Sequence, residues 1–95
     1  MEQNEINIRI INYLRPYSPE RIGIFGSFAR KEESPESDID ILVKFRNTIS
    51  LLDLARIHRE LSVILSREVD LVTEASIKNK RLKKNIYKNL IIIYG

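Results

Sequence analysis

The stretch Asp38–Phe45, "DIDILVKF", sets two acidic residues two positions apart in a largely apolar run. Residues two apart on a strand face the same side, so Asp38 and Asp40 are predicted to project together with Cα atoms roughly 6.5–7 Å apart. Two carboxylates this close repel unless a cation lies between them, and oxygen ligands suit Mg²⁺ or Mn²⁺. One alternative stays open, because alternation also describes a half-exposed strand with a solvated acidic face.

A second acidic strand pattern lies downstream in "REVDLV", Arg67–Val72, where Glu68 and Asp70 face away from the apolar residues. If this strand lies beside the one carrying Asp38 and Asp40, Asp70 completes a cluster of three carboxylates. Such a cluster can hold two divalent ions, which clamp the attacking and leaving oxygens of a phosphoryl transfer. Acids that are simply solvated are the plainer interpretation of Asp70 alone and of Glu68.

A turn of small residues precedes the acidic strand, with Gly26 and Ser27 between the apolar run "RIGIF" and a short helix predicted from Ser27 to about Lys31. A helix N-terminus exposes free N–H groups and the positive end of its dipole, and glycine lets the backbone approach a phosphate closely. The Ser27 hydroxyl could donate to a phosphate oxygen, and Arg30 could add charge one turn later. Ser27 as an ordinary helix cap remains the alternative.

Periodicity and turn signals predict eight elements in the order α-β-α-β-α-β-α-β. The predicted elements are a helix ending before Pro16, a strand at 21–26, a short helix from Ser27, a strand at 38–45, a helix capped by Ser50 and running to about Leu65, a strand at 67–72, a basic helix at about 79–87 and a strand at 89–95. The isoleucines of the first segment also alternate as in a strand, but its length favours a helix. The chain is predicted to be a single α/β (α+β) domain over residues 1–95, a mixed four-stranded sheet with helices packed on it.

Composition excludes several classes of site. The 95 residues include no cysteine, which excludes disulfides, zinc–thiolate sites and thiol catalysis. No signal-peptide pattern and no apolar run of roughly 18–20 residues is visible, so we expect a soluble, cytoplasmic protein without a membrane partner. The lone His58 is expected to pack or to lie at an interface rather than to bind metal.

The net charge of +3 is small, but the segment Lys78–Lys88 carries six lysines and arginines and no acid. It is interpreted either as a solvated helix face or as a surface for a partner or nucleic acid. The final run "LIIIYG" predicts a sheet strand, or, at an edge, a pairing surface for a second subunit.

The combination of Gly-Ser, a spacer of about ten residues and Asp-apolar-Asp resembles the signature of the DNA polymerase beta-type nucleotidyltransferase superfamily. The fuller string "GSFAR…SDIDILV", with "VDLV" downstream, is similar to the minimal nucleotidyltransferases. The resemblance implies a nucleotidyltransferase fold in which Gly26 and Ser27 hold the triphosphate. It also implies that Asp38 and Asp40 ligate the metals and that Asp70 is the third carboxylate.

The same resemblance implies a partner and a reaction. Minimal nucleotidyltransferases are commonly encoded beside a HEPN-domain protein, the two acting as antitoxin and toxin, and members transfer AMP from ATP to a tyrosine hydroxyl of the partner. ATP is then the expected substrate, with two Mg²⁺ ions (or Mn²⁺) as cofactors and a homo- or hetero-oligomer as the assembly. Two rivals stay open: a non-catalytic antitoxin that masks its partner, and a nucleotidyltransferase acting on RNA or DNA. The second is disfavoured because the basic segment lacks the interleaved aromatics that stack bases.

Overall fold

The computed structural model describes residues 1–29 and 38–95, and its elements follow the predicted order. They are α1 (Gln3–Leu14), β1 (Pro19–Phe25), α2 (Gly26–Ala29), β2 (Ile39–Phe45), α3 (Leu51–Leu65), β3 (Val69–Thr73), α4 (Lys80–Lys88) and β4 (Ile91–Tyr94), with short 3₁₀ turns at Arg15–Tyr17 and Glu74–Ser76. The ambiguous first segment is a helix.

The four strands form one mixed sheet in the order β3-β2-β1-β4. β2 and β3 are parallel, while β1 pairs antiparallel with both β2 and β4. Parallel neighbours need a crossover connection, and α3 supplies it between β2 and β3. The predicted fold class, a mixed four-stranded sheet with helices packed on it, is confirmed. β4 lies at one edge of this sheet, so its interpretation as a sheet strand is confirmed, and its pairing with a second subunit stays a prediction.

The core lies between one face of the sheet and the helices α1 and α3. Each helix buries a stripe spaced four residues apart, which is the spacing of one helical face. The residues that are at most 1% exposed are Ile6, Ile10 and Leu14 of α1, Ile57, Leu61 and Leu65 of α3, and Ile22, Ile24, Ile39, Ile41, Val43 and Val69 of the strands. The strand residues alternate, so the intervening side chains of β2 and β3 point to the opposite face of the sheet.

The predicted cap of α3 is confirmed, because the Asp53 N–H donates to the Ser50 Oγ at 3.1 Å. The spacing of apolar residues in the sequence predicts a broad buried face for α3 that includes Leu51, Ala55 and His58, but these three residues are exposed. A helix lying flat on a sheet buries only its central stripe, so residues at the margins of the apolar face stay in solvent. His58 instead pairs with Glu68, with Nε2 3.2 Å from Oε1.

The opposite face of the sheet meets α4 and the segment after it. Asn79 caps α4 by accepting from the N–H groups of Arg81 at 2.9 Å and Leu82 at 3.1 Å. Leu90 lies directly over Gly23, where an added β-carbon would be 2.6 Å from the leucine Cδ1. In the described ranges no helix is both long and apolar enough to cross a membrane.

Candidate functional site

Asp40 and Asp70 are register partners on the parallel strands β2 and β3. The neighbouring pair Ile39 and Val69 is buried on the core face, so a slip of one residue would expose both. Neighbouring strands lie about 4.8 Å apart, which sets the two carboxylates side by side on the face away from the core. The sequence predicts that Asp70 lies beside Asp40 only if β3 lies beside β2, and the two strands are neighbours in the structure.

Asp38 lies one residue before β2, which begins at Ile39 rather than at the predicted Asp38. It is exposed, and the chain beside it is tied to β3 because the Ile39 N–H donates to the Glu68 carbonyl at 3.0 Å. Within residues 1–29 and 38–95, no three Asp, Glu, His or Cys side chains converge into a ready-made metal site. The three-carboxylate cluster therefore stays a prediction, supported by the pairing of two of its members.

The turn that follows β1 passes directly over Asp40. Phe25 is the antiparallel register partner of Asp40, and Gly26 comes next with a φ of +73°. A β-carbon on Gly26 would overlap the Asp40 Oδ2 and lie 3.0 Å from its Cγ. Two features require glycine at position 26. Its left-handed backbone disfavours a side chain, and the Asp40 carboxylate leaves no space for one.

The structure describes only part of the segment that carries the remaining predicted phosphate ligands, Ser27 and Arg30. The short helix α2 begins at Gly26, one residue before its predicted start, and its described part ends at Ala29. The side chain of Ser27 lies outside what the structure describes, and so do Arg30 and residues 31–37. Their roles stay predictions.

Sequence reasoning missed an ionic network on the site face of the sheet. Arg21 of β1 reaches across β2 to Glu74, with Nη2 3.0 Å from Oε2 and 3.3 Å from Oε1. Burial opposes the ionisation of Glu74, but hydrogen bonding from Arg21, together with the nearby Tyr87, outweighs it and lowers the pKa of that carboxyl. Burial and the nearby Glu74 carboxylate raise the pKa of Tyr87 on α4, whose buried hydroxyl has no hydrogen-bond partner among the described residues. Asp70, Val72 and Glu74 are spaced two residues apart, as on one face of a strand. This spacing is the signal that could have placed Glu74 on the same face as Asp70.

An open cleft of about 420 Å³ lies at the C-terminal ends of β2 and β3. Its apolar lining includes Phe45, Ile49 and Leu54, and its charged lining includes Lys44 and Lys83. It is separate from Asp40 and Asp70, which lie nearer the N-terminal ends of their strands. The cleft is large enough for a small ligand or for part of a protein segment.

Comparison with known proteins decides what kind of domain carries this arrangement. The profile described as "Nucleotidyltransferase domain" matches residues 8–93. The chain belongs to the nucleotidyltransferase domain family. The resemblance found in "GSFAR…SDIDILV" is thereby confirmed, and so is the prediction of a nucleotidyltransferase enzyme.

The relatives of this nucleotidyltransferase domain bear consistent names. A protein of Methanocaldococcus jannaschii that bears the name protein adenylyltransferase is 49% identical over 77 residues, covering 81% of this chain and 83% of its own length. A crystal structure of a toxin–antitoxin with AMP-PNP contains a similar chain at TM-score 0.84 and 26% identity, covering 94% of this domain and 73% of that chain. The structure of a tri-AMPylated Shewanella oneidensis HEPN toxin in complex with its MNT antitoxin gives TM-score 0.81 and 25% identity, covering 99% and 73%.

Proposed function

We propose that this nucleotidyltransferase transfers AMP from ATP to a tyrosine hydroxyl of a HEPN-domain protein and thereby acts as its antitoxin. The observation that supports the proposal most is the parallel pairing of Asp40 with Asp70 beneath the Gly26 turn. It sets two carboxylates and an approachable backbone turn at one spot on the sheet face. Similarity to chains from an AMPylated toxin–antitoxin complex supports the choice of AMP and of a protein acceptor.

The reaction requires one bond to form and one to break. The acceptor hydroxyl oxygen attacks the α-phosphorus of ATP, the bond from that phosphorus to the bridging oxygen breaks, and pyrophosphate leaves. Asp70 accepts the proton of the acceptor hydroxyl. The N–H groups that follow Gly26, with Ser27 and Arg30, hold the β- and γ-phosphates, and this positioning supplies much of the rate.

The donor chemistry of the site fits a hard divalent cation. The candidate ligands Asp38, Asp40 and Asp70 offer only carboxylate oxygens, which Mg²⁺ and Mn²⁺ prefer. Asp40 and Asp70 lie side by side, and two like charges at this spacing favour a cation between them. Mg²⁺ or Mn²⁺ held there supplies neutralisation of the charge on the phosphate oxygens.

The test is incubation of the chain with Mg²⁺ and α-labelled ATP, with and without the HEPN-domain protein encoded beside its gene. Intact mass and label transfer are read for both proteins. We expect label on the partner with the wild-type chain and none with Asp40→Asn. Glu5→Gln is the matched control, since it removes an exposed carboxylate on α1 that pairs only locally with Arg9.

Each alternative has its own outcome in the same experiment. Tight binding of the partner with no label from any nucleotide supports the masking antitoxin and overturns the proposal. Label on added RNA or DNA, with an unlabelled partner, supports a nucleic-acid nucleotidyltransferase. Equal label with Asp40→Asn and wild type contradicts the assignment of Asp40 to the site.

A further inference from the structure

We propose that the cleft at the C-terminal ends of β2 and β3, together with Leu51 and Leu52, is the surface that docks an acidic, partly apolar segment of the acceptor protein. The inference rests on the proposed function, because it assigns the surface by which that enzyme recognises its protein substrate. It is carried by three properties of the surface, which are its apolar extent, its charge and its position relative to Asp40.

The apolar part extends beyond what a small molecule in the cleft could cover. Phe45, Ile49 and Leu54 line the cleft of about 420 Å³. Leu51 and Leu52 lie in the first turn of α3, between Ile49 and Leu54 in the sequence. They are 83% and 82% exposed and do not line the cleft. Two adjacent leucines so fully exposed beside an apolar cleft are typical of a surface that a protein covers.

The positive charge of the cleft indicates that the bound protein segment carries acidic side chains. Lys44, Arg46 and Lys83 all line it. Among its described lining residues the one acid is Glu74, whose carboxylate already binds Arg21. Lys44 is paired with Glu20 at 3.0 Å.

Arg46 and Lys83 supply the uncompensated charge. In the described part of the chain, no carboxylate forms an ion pair with either of them. Lys83 lies over the ring of Tyr87, with its Nζ 5.8 Å from the ring centroid. The ring carries no net charge, so the ammonium charge of Lys83 stays uncompensated. Two uncompensated cations around an apolar floor complement a segment that carries both acidic and apolar side chains.

The position of the cleft suits delivery of an acceptor side chain. Lys44 is on the same face of β2 as Asp40 and four residues further along, which is about 13 Å on a strand. A segment held in the cleft can therefore place a residue only a few positions away at Asp40 and Asp70. Nucleic acid fits less well, because single strands bind through stacked aromatics and Phe45 is the lone aromatic in the described lining.

The experiment uses two independent surface variants, each with a matched control. Leu51→Ser with Leu52→Ser removes the exposed apolar pair, and Val63→Ser is its control on the same helix, at a residue 73% exposed. All three positions are exposed, so the variants should fold, and circular dichroism and thermal melting check that they do.

The second variant is Arg46→Glu with Lys83→Glu, and its control is Arg59→Glu at an exposed position of α3. The probe is the HEPN-domain protein encoded beside the gene, and its binding is measured by calorimetry without nucleotide at low and high salt. We expect each surface variant to weaken binding by about tenfold or more and each control by less than about threefold. Raising the salt should weaken wild-type binding more than that of the charge-reversal variant.

In the AMP-transfer assay the surface variants should raise the KM for the partner and leave the KM for ATP unchanged. Partner binding at wild-type strength by both surface variants overturns the docking surface, as does a wild-type chain that does not bind the partner at all. Loss of binding to a single-stranded oligonucleotide, with partner binding intact, overturns it in favour of nucleic acid. If the wild type binds the partner through these residues but transfers no label, the surface stands and the proposed catalysis fails.

Discussion

The backbone at Gly26 touches the carboxylate of Asp40 so closely that a β-carbon there would overlap Oδ2 and lie 3.0 Å from Cγ. The contact joins the end of β1 to the start of β2, where Phe25 and Asp40 are register partners. A triphosphate held by the turn and a cation held by Asp40 would then share one small volume. We therefore expect the glycine and the aspartate to act in one site, although fourteen positions separate them in the sequence.

Gly26→Ala should therefore damage activity more than stability. A left-handed backbone costs a residue with a side chain about 1–2 kcal/mol, which lowers the free energy of unfolding by that amount. The methyl group must also displace the Asp40 carboxylate, so we expect label transfer to fall by roughly a hundredfold or more, as for other displaced catalytic groups. Urea unfolding and label transfer measured on the same preparation separate the two effects.

Gly23→Ala is the control for that prediction. Gly23 lies on β1, three residues before Gly26, and its β-carbon would meet the side chain of Leu90 at 2.6 Å rather than Asp40. We expect it to lower stability while label transfer, measured below the melting temperature, stays near the wild-type rate. Equal losses of activity in the two variants would mean that the Gly26 contact has no special role.

Asp70→Asn should abolish turnover and largely spare ATP binding. Amide in place of carboxylate cannot accept the proton of the acceptor hydroxyl, and general-base catalysis contributes typically about 10²–10⁴-fold to a rate. Glu68→Gln, two residues earlier on an exposed side chain, is the matched control and should transfer AMP normally. Calorimetric titration of ATP and single-turnover label transfer measure the two quantities, and wild-type turnover by Asp70→Asn contradicts its role as base.

The alternation of strand residues made much of the sheet predictable from the sequence. In "DIDILVKF" the isoleucines at 39 and 41 had to face a core, which fixed the direction of Asp40 before any pairing was known. The cap at Ser50 and the stop at Pro16 likewise bounded two helices correctly. These signals are local, so they survive without knowledge of the fold.

The order of the strands and the close contact between Gly26 and Asp40 could not be predicted in the same way. Whether β3 lies beside β2 depends on how α3 crosses the sheet, which no short motif encodes, so the partnership of Asp70 remained conditional. The same limit hid the ion pair between Arg21 and Glu74, which are 53 residues apart in sequence. Strand ends were also uncertain, since β1 begins at Pro19, two residues before its predicted start, because Pro19 pairs across to Phe45.

Ile41→Ala should be among the most destabilising substitutions in the chain. Ile41 is fully buried at the centre of the sheet, between its partners on β1 and β3. Loss of its side chain removes apolar contact and leaves a cavity, a change that costs about 2–5 kcal/mol. Ile91→Ala is the control at a residue 48% exposed and should cost less than about 1 kcal/mol in urea unfolding.

Glu74 should make the stability of the chain depend on pH in the acid range. Burial disfavours its charge, but the hydrogen bonds from Arg21, together with the nearby Tyr87, more than compensate and hold its pKa in the folded chain below its ordinary 4.5. A lowered folded-state pKa stabilises the folded chain above the unfolded-state pKa, and the stabilisation disappears as the pH falls through the folded-state pKa. Its contribution is therefore complete at neutral pH.

Glu74→Gln should accordingly be least stable relative to wild type at neutral pH, and the two free energies of unfolding should converge as the pH falls through the lowered folded-state pKa of Glu74. Arg21→Gln removes the main donor to the same carboxylate and should reduce the same pH dependence. Urea unfolding across the acid range measures both variants. A difference between wild type and Glu74→Gln that stays constant down to the lowest pH would mean that packing, rather than the charge of Glu74, stabilises this corner of the sheet.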